Sequence, residues 1–91
     1  MTKNINLYKK LYQEKKYEEL IYKIENLEKI KSAQLLHILG ICKLSKKNIS
    51  NNDKLSARED FKKAFENEKN SNIGIEALTN FINISTDFLL I

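Results

Sequence analysis

Apolar residues recur along the chain at the three- and four-residue intervals of an α-helix, and that spacing predicts five helical segments. The first, about residues 3–14, sets Leu7 and Leu11 on one stripe and Ile5, Tyr8 and Tyr12 on another. The second, about 16–31, repeats Tyr17, Leu20, Ile24 and Leu27. Ser32 marks a break and suits a cap for the helix that follows, because a serine hydroxyl can accept from a free first-turn amide. The third, about 33–47, runs Leu35, Leu36, Ile38, Leu39, Ile41, Cys42 and Leu44 with no charge before Lys43. A helix apolar nearly all round belongs at the centre of a fold. Asn48 to Asp53 reads as a loop, since short polar side chains compete for backbone hydrogen bonds. The fourth segment, about 54–69, buries Ala57, Phe61, Ala64 and Phe65; after Asn70, Ser71 and Asn72 the fifth runs from about 73 toward the C-terminus.

The composition narrows this to an all-α class. At 91 residues, 42% of them hydrophobic, the chain is sized for one small globular domain whose thin core leaves little room for a deep enzyme pocket. It has no proline and two glycines, Gly40 and Gly74, too few turn formers for a β-sandwich or barrel. Its single cysteine, Cys42, cannot form an intramolecular disulfide, which points to a reducing compartment. Met1 to Lys10 lacks the apolar run of a secretory signal. Phe81 to Ile91, the most apolar stretch, is interrupted by Asn83 and Asp87 and falls short of the roughly 20 residues that span a bilayer. A cytoplasmic protein without membrane contact is the expectation.

Charge changes the picture less than its total suggests. The net charge is +4, with every basic residue between Lys3 and Lys69, while residues 71–91 carry only Glu76 and Asp87. Acidic residues are threaded among the lysines, as in Glu19–Lys23 and Glu25–Lys29, the spacing of solvated helix faces. The lysine–tyrosine interleaving of residues 8–23 could stack bases and contact phosphates. Helical hairpins use the same side chains at their margins for packing, so nucleic acid is a disfavoured partner.

Catalytic chemistry finds no footing in the pattern. His37 and Cys42 are the only residues of their kinds, and five residues on one helix set them about 140° apart, too divergent for a nucleophile and its base. No His-x-x-x-His or Cys-x-x-Cys spacing offers a metal site, and neither glycine sits in a phosphate-cradling loop. Glu18–Glu19 and Glu59–Asp60 are adjacent, so their side chains diverge by about 100° on a helix. The expectation is no enzyme, no cofactor and no metal.

Leu36, Leu39 and Gly40 stand at relative positions 0, 3 and 4, and Ala57, Phe61 and Ala64 at 0, 4 and 7. Together they resemble the two helices of a tetratricopeptide repeat (TPR), with a glycine on one helix placed opposite an alanine on its partner so that the backbones approach closely. A fainter copy runs through Leu7, Tyr8, Leu11, Lys16, Tyr17 and Leu20, and a third unit begins with Ile75, Leu78, Thr79 and Ile82. Tyr8 and Leu20 replace the small pair of the first unit, which should splay it. Ser32 and Lys69 stand where the family carries proline, and Asn48–Asp53 inserts about five residues. Another antiparallel helical bundle is the alternative architecture.

The resemblance implies a single domain over 1–91, built as a short right-handed solenoid of about five helices: hairpin 1 about 3–31, hairpin 2 about 33–69, and a terminal helix about 72–91. It implies a concave face that binds peptides or protein segments through Ile5, Lys9, Tyr12 and Gln13 on the first helix and Gln34, His37, Ile41 and Leu44 on the third. Ile41 and Leu44 can equally be core. The function it implies is a non-catalytic protein-interaction or self-assembly module. A second expectation is an N-terminal accessory repeat of a larger protein, such as a transferase, and a third is a small basic nucleic-acid binder.

The fifth segment carries two apolar stripes, Ile73, Ala77, Phe81, Ile84, Phe88 and Ile91 on one and Ile75, Leu78, Ile82 and Leu89 on the other. One can pack on the preceding hairpin, and the other lacks a partner helix. Self-association as a homodimer is one expectation, with Phe81, Ile84, Phe88 and Ile91 as its residues; the others are that the chain is the N-terminal piece of a longer repeat protein, or that its last residues curl back over the stripe.

Overall fold

The computed structural model describes the backbone of residues 2–27 and 32–89, and the side chains of 6–27 and 32–87. The described residues form five α-helices and no strand: α1 (Thr2–Gln13), α2 (Tyr17–Glu25), α3 (Ala33–Ser45), α4 (Asn51–Asn67) and α5 (Asn72–Leu89). The all-α expectation holds, and no described helix is long and apolar enough to cross a membrane.

Local chemistry sets where each helix stops. At the end of α1, Lys15 takes the left-handed backbone conformation, with φ at 60°. The Lys16 amide bonds the Leu11 carbonyl and the Lys15 amide bonds that of Tyr12, the paired closure in which glycine usually takes the left-handed place. α2 stops at Glu25 and not near residue 31, because the Asn26 carboxamide donates to the Tyr22 carbonyl at 2.7 Å and closes the last turn. Ser32 caps α3 as its sequence position suggests, accepting from the Leu35 amide at 3.2 Å.

The start of α4 departs from the sequence reading. Ser50 accepts from the Asp53 amide at 3.1 Å, and the Asp53 carboxylate accepts from the Ser50 amide at 2.9 Å. This reciprocal capping box draws Asn51, Asn52 and Asp53 into the first helical turn, which shortens the expected loop to residues 46–50. Lys46 Nζ lies 3.0 Å from Asp53, and the Ser50 amide together with Lys46 holds that carboxyl down at about 2. Ser71 caps α5 through the Gly74 amide at 3.0 Å.

α3 is the central element. Leu35, Leu39 and Cys42 pack with Tyr8, Leu11, Leu20 and Ile24 on one side, while Ala33 and Leu36 pack with Ala57, Phe61, Ala64, Ala77 and Ile84 on the other. Contacts of Gly40 with Phe61, Lys43 with Asp60 and Lys46 with Asp53 run in opposite directions along α3 and α4, so that pair is antiparallel. α4 and α5 are antiparallel by the same test: Glu68 meets Gly74, and Arg58 meets Ser85.

Two packing details differ from the sequence reading. The buried residues of α1 are Tyr8 and Leu11, while Leu7 is 44% exposed, so the paired stripe of Leu7 and Leu11 is split between core and surface. Gly40 faces the ring of Phe61 and not an alanine. The close approach of the helices thus makes room for an aromatic ring.

Candidate binding groove across α1 and α3

Lys9, Tyr12 and Gln13 of α1, Gln34, His37 and Ile38 of α3 and Ile73 of α5 line a depression of about 250 Å³. A second depression, also about 250 Å³, is formed by Tyr12, His37, Ile38 and Ile41. Of the eight residues assigned to a concave face, six therefore meet: Lys9, Tyr12, Gln13, Gln34, His37 and Ile41. Leu44 packs against the Phe61 cluster, and the side chain of Ile5 lies outside the described residues. Ile38 and Ile73 were not among the groove residues expected from the sequence. The interval Gln34–Ile38–Ile41, one step of four and one of three, could have revealed Ile38.

The walls combine held and free groups. Tyr12 stands edge-on to Tyr17 with ring centroids 5.7 Å apart, which fixes the tyrosine at the mouth. The His37 ring rests 5.7 Å from the Phe61 ring, with Nε2 3.4 Å from the Asn80 carboxamide nitrogen and 3.9 Å from a Glu76 oxygen. Burial pushes the imidazole below its ordinary value, against the opposing pull of Glu76. The Asn80 carboxamide nitrogen can only donate, so in the neutral ring that burial favours Nε2 is the acceptor of this contact. The side-chain carboxamides of Gln13 and Gln34 make no hydrogen bond among the described residues, and Lys9 has no ion-pair partner there.

Three other features carry polar or reactive groups outside this groove. On the opposite side of α3, Lys43 Nζ lies 2.7 Å from Asp60, 3.1 Å from Glu25 and 2.7 Å from the Ser56 hydroxyl. A lysine beside a serine suggests a base and its nucleophile, but this Nζ is shared among two carboxylates and the hydroxyl, contacts that join three helices. Burial raises the Asp60 carboxyl while Lys43 pulls it down. This tie between α2, α3 and α4 was not read from the sequence, although Lys43 interrupting an apolar run was its signal. A wider cleft of about 760 Å³ near the α1–α2 turn is lined by Lys15, Lys16, Lys46 and Lys47. Lys16 pairs with Glu14 and Lys46 with Asp53, and Glu18 and Glu19 on the same wall offset the remaining two lysines. Cys42 is fully buried toward α1 and α2, away from the groove that His37 lines, and burial raises its thiol to about 11. Among the described residues no group of three or more His, Cys, Asp or Glu side chains is placed to hold a metal ion.

No protein-family model, curated protein or solved structure matches this chain. Its site stands on geometry alone.

Of the stripe assigned to self-association, Phe81 and Ile84 pack in the cluster around Phe61. Ile84 is buried, and Phe81 packs beneath Arg58, whose guanidinium carbon is 4.5 Å from the ring centroid and whose Nε donates to Ser85 at 2.8 Å. The Phe88 side chain and Ile91 lie outside the described residues. It is the other stripe that faces out: Ile75 and Ile82 are 54% and 51% exposed, with Leu78 half-buried between them. The stripe itself carries no charged residue, and beside it Thr79 and Thr86 turn their hydroxyls back onto the Ile75 and Ile82 carbonyls.

Proposed function

We propose that the chain is a non-catalytic, TPR-like protein-interaction module of the cytoplasm that takes a peptide or protein segment in the groove between α1 and α3. The observation that carries the reading is the meeting of Lys9, Tyr12, Gln13, Gln34, His37 and Ile41 around two adjoining depressions, with amide and ammonium groups uncommitted to the fold. Burying free amides without partners is costly, whereas a bound main chain supplies both donors and acceptors. The test is selection of peptides from a random displayed library on the full chain, followed by binding to a Tyr12→Ala, Ile41→Ser variant. Selected peptides should shift backbone amide resonances of α1 and α3 and lose affinity for the variant. Peptides that bind both proteins equally would sink the reading.

A second reading, self-association, draws on the uncharged outer face of α5. Exposed contiguous apolar surface is uncommon on soluble monomers. The residues this reading now names are Ile75, Leu78 and Ile82.

A further inference from the structure

We infer that a second copy of this chain covers the outer face of α5, as an antiparallel helix pair centred between Asn80 and Phe81. This inference deepens the self-association reading above and rests on it. Ile75, Thr79, Ile82 and Thr86 are all exposed, and they follow one another at steps of four, three and four residues. That alternation is the seam of a two-stranded coiled coil, so the face fits a helix better than an extended segment. The two threonines suit such a seam. Each hydroxyl already donates to the carbonyl four residues back, Thr79 to Ile75 at 3.0 Å and Thr86 to Ile82 at 2.9 Å. Covering them therefore leaves no hydroxyl proton without an acceptor, and their methyl groups remain for packing.

Charge and shape select a second copy as the occupant. The chain carries +4, yet α5 is the one helix of the five with no lysine or arginine, so two copies meet there without opposing cations. In the antiparallel register that overlaps α5 along its full length, Asn72–Leu89, Ile75 faces the partner's Thr86 and Ile82 faces the partner's Thr79. Each bulky side chain meets a small one, and the two-fold axis repeats every contact. On the flank, Glu76 faces the partner's Asn83, so its carboxylate meets an amide donor and not a like charge. A parallel pair would set each isoleucine against its own copy and align the two helix dipoles.

The test mixes two variants of the full chain, Thr79→Cys and Ile82→Cys, under copper–phenanthroline oxidation. Both positions are exposed, so both variants should keep the original melting curve, and the buried Cys42 does not compete. The proposed register joins one variant to the other. The mixed disulfide should then exceed either same-variant disulfide about fivefold, against roughly twofold for random pairing. A random ratio, or an excess of same-variant disulfides, overturns the inference. Sedimentation of Asn83→Lys and Asn83→Glu reads the flank: the lysine should lower the dimer Kd about threefold and the glutamate raise it by a similar factor. Equal values for the two overturn the register. Failure of the self-association reading itself shows separately, as a mass that stays monomeric for the original chain at every concentration.

Discussion

Gly40 and Phe61 meet so closely that a β-carbon on Gly40 would lie 2.7 Å from Cε1 and Cζ of the ring. Phe61 is fully buried, so the ring has nowhere to swing. Gly40→Ala gains about 1 kcal/mol in helix propensity and loses about 1–3 kcal/mol to overpacking, a modest net loss. At Gly74 the obstacle is the Glu68 carbonyl, which is backbone and gives less readily. Gly74→Ala should therefore lower the urea midpoint more than Gly40→Ala. The reverse ranking would show that the α4–α5 corner yields more easily than the aromatic contact.

The Lys43–Asp60 pair predicts an asymmetry between single and double replacements. Asp60→Ala leaves a buried ammonium with Ser56 and the half-exposed Glu25, and should cost about 3 kcal/mol. Replacing both, as Lys43→Met with Asp60→Leu, should return stability to within about 1 kcal/mol of the original chain. Denaturant unfolding of the two variants beside the original chain measures the difference. Equal losses in single and double variants would assign the cost to packing and not to charge.

Acid should weaken the fold through His37. Its pKa in the folded chain is held below the ordinary 6.5 by burial, and only partly restored by Glu76. The unfolded chain takes up the proton more readily, so the contribution is complete above 6.5 and is lost as pH falls through the folded value. Asp60 acts in the opposite sense, since its raised pKa makes the folded chain the better proton acceptor as pH falls. Melting temperature should decline from neutral pH into the acid range, and His37→Gln should flatten the decline. Parallel profiles for the two proteins would contradict this assignment.

The outer face of α5 predicts weak, concentration-dependent association. Eighteen residues make a helix about 27 Å long, and one such face falls short of the ~800 Å² per partner of a standard interface. In light scattering over a tenfold concentration range, any rise in mass should vanish in Ile82→Asp with the fold intact. Ile84→Asp, which buries a carboxylate, should unfold the chain. A mass that stays monomeric throughout would remove the self-association reading.

Helix number and the central place of α3 were legible because the apolar positions of α3 leave no polar face. The capping box of Ser50 and Asp53 was also present as a pattern, but three asparagines and an aspartate within six residues read more strongly as loop than as first turn. On α5, periodicity showed two stripes equally well. Only the position of α4, with Arg58 laid over Phe81, decides that Ile84 faces in and Ile82 out. Most groove residues followed from first-helix positions. Ile73 did not, because its place depends on how α5 folds back past α3.

Cys42, fully buried between α3 and the α1–α2 pair, has its thiol raised to about 11. Thiol reagents attack the thiolate, so the native chain resists them twice over, by access and by ionisation. With one cysteine in the sequence, every labelling event reports the same opening. The chain thus carries its own clock: the rate at which Cys42 becomes reactive counts how often that side of the core parts.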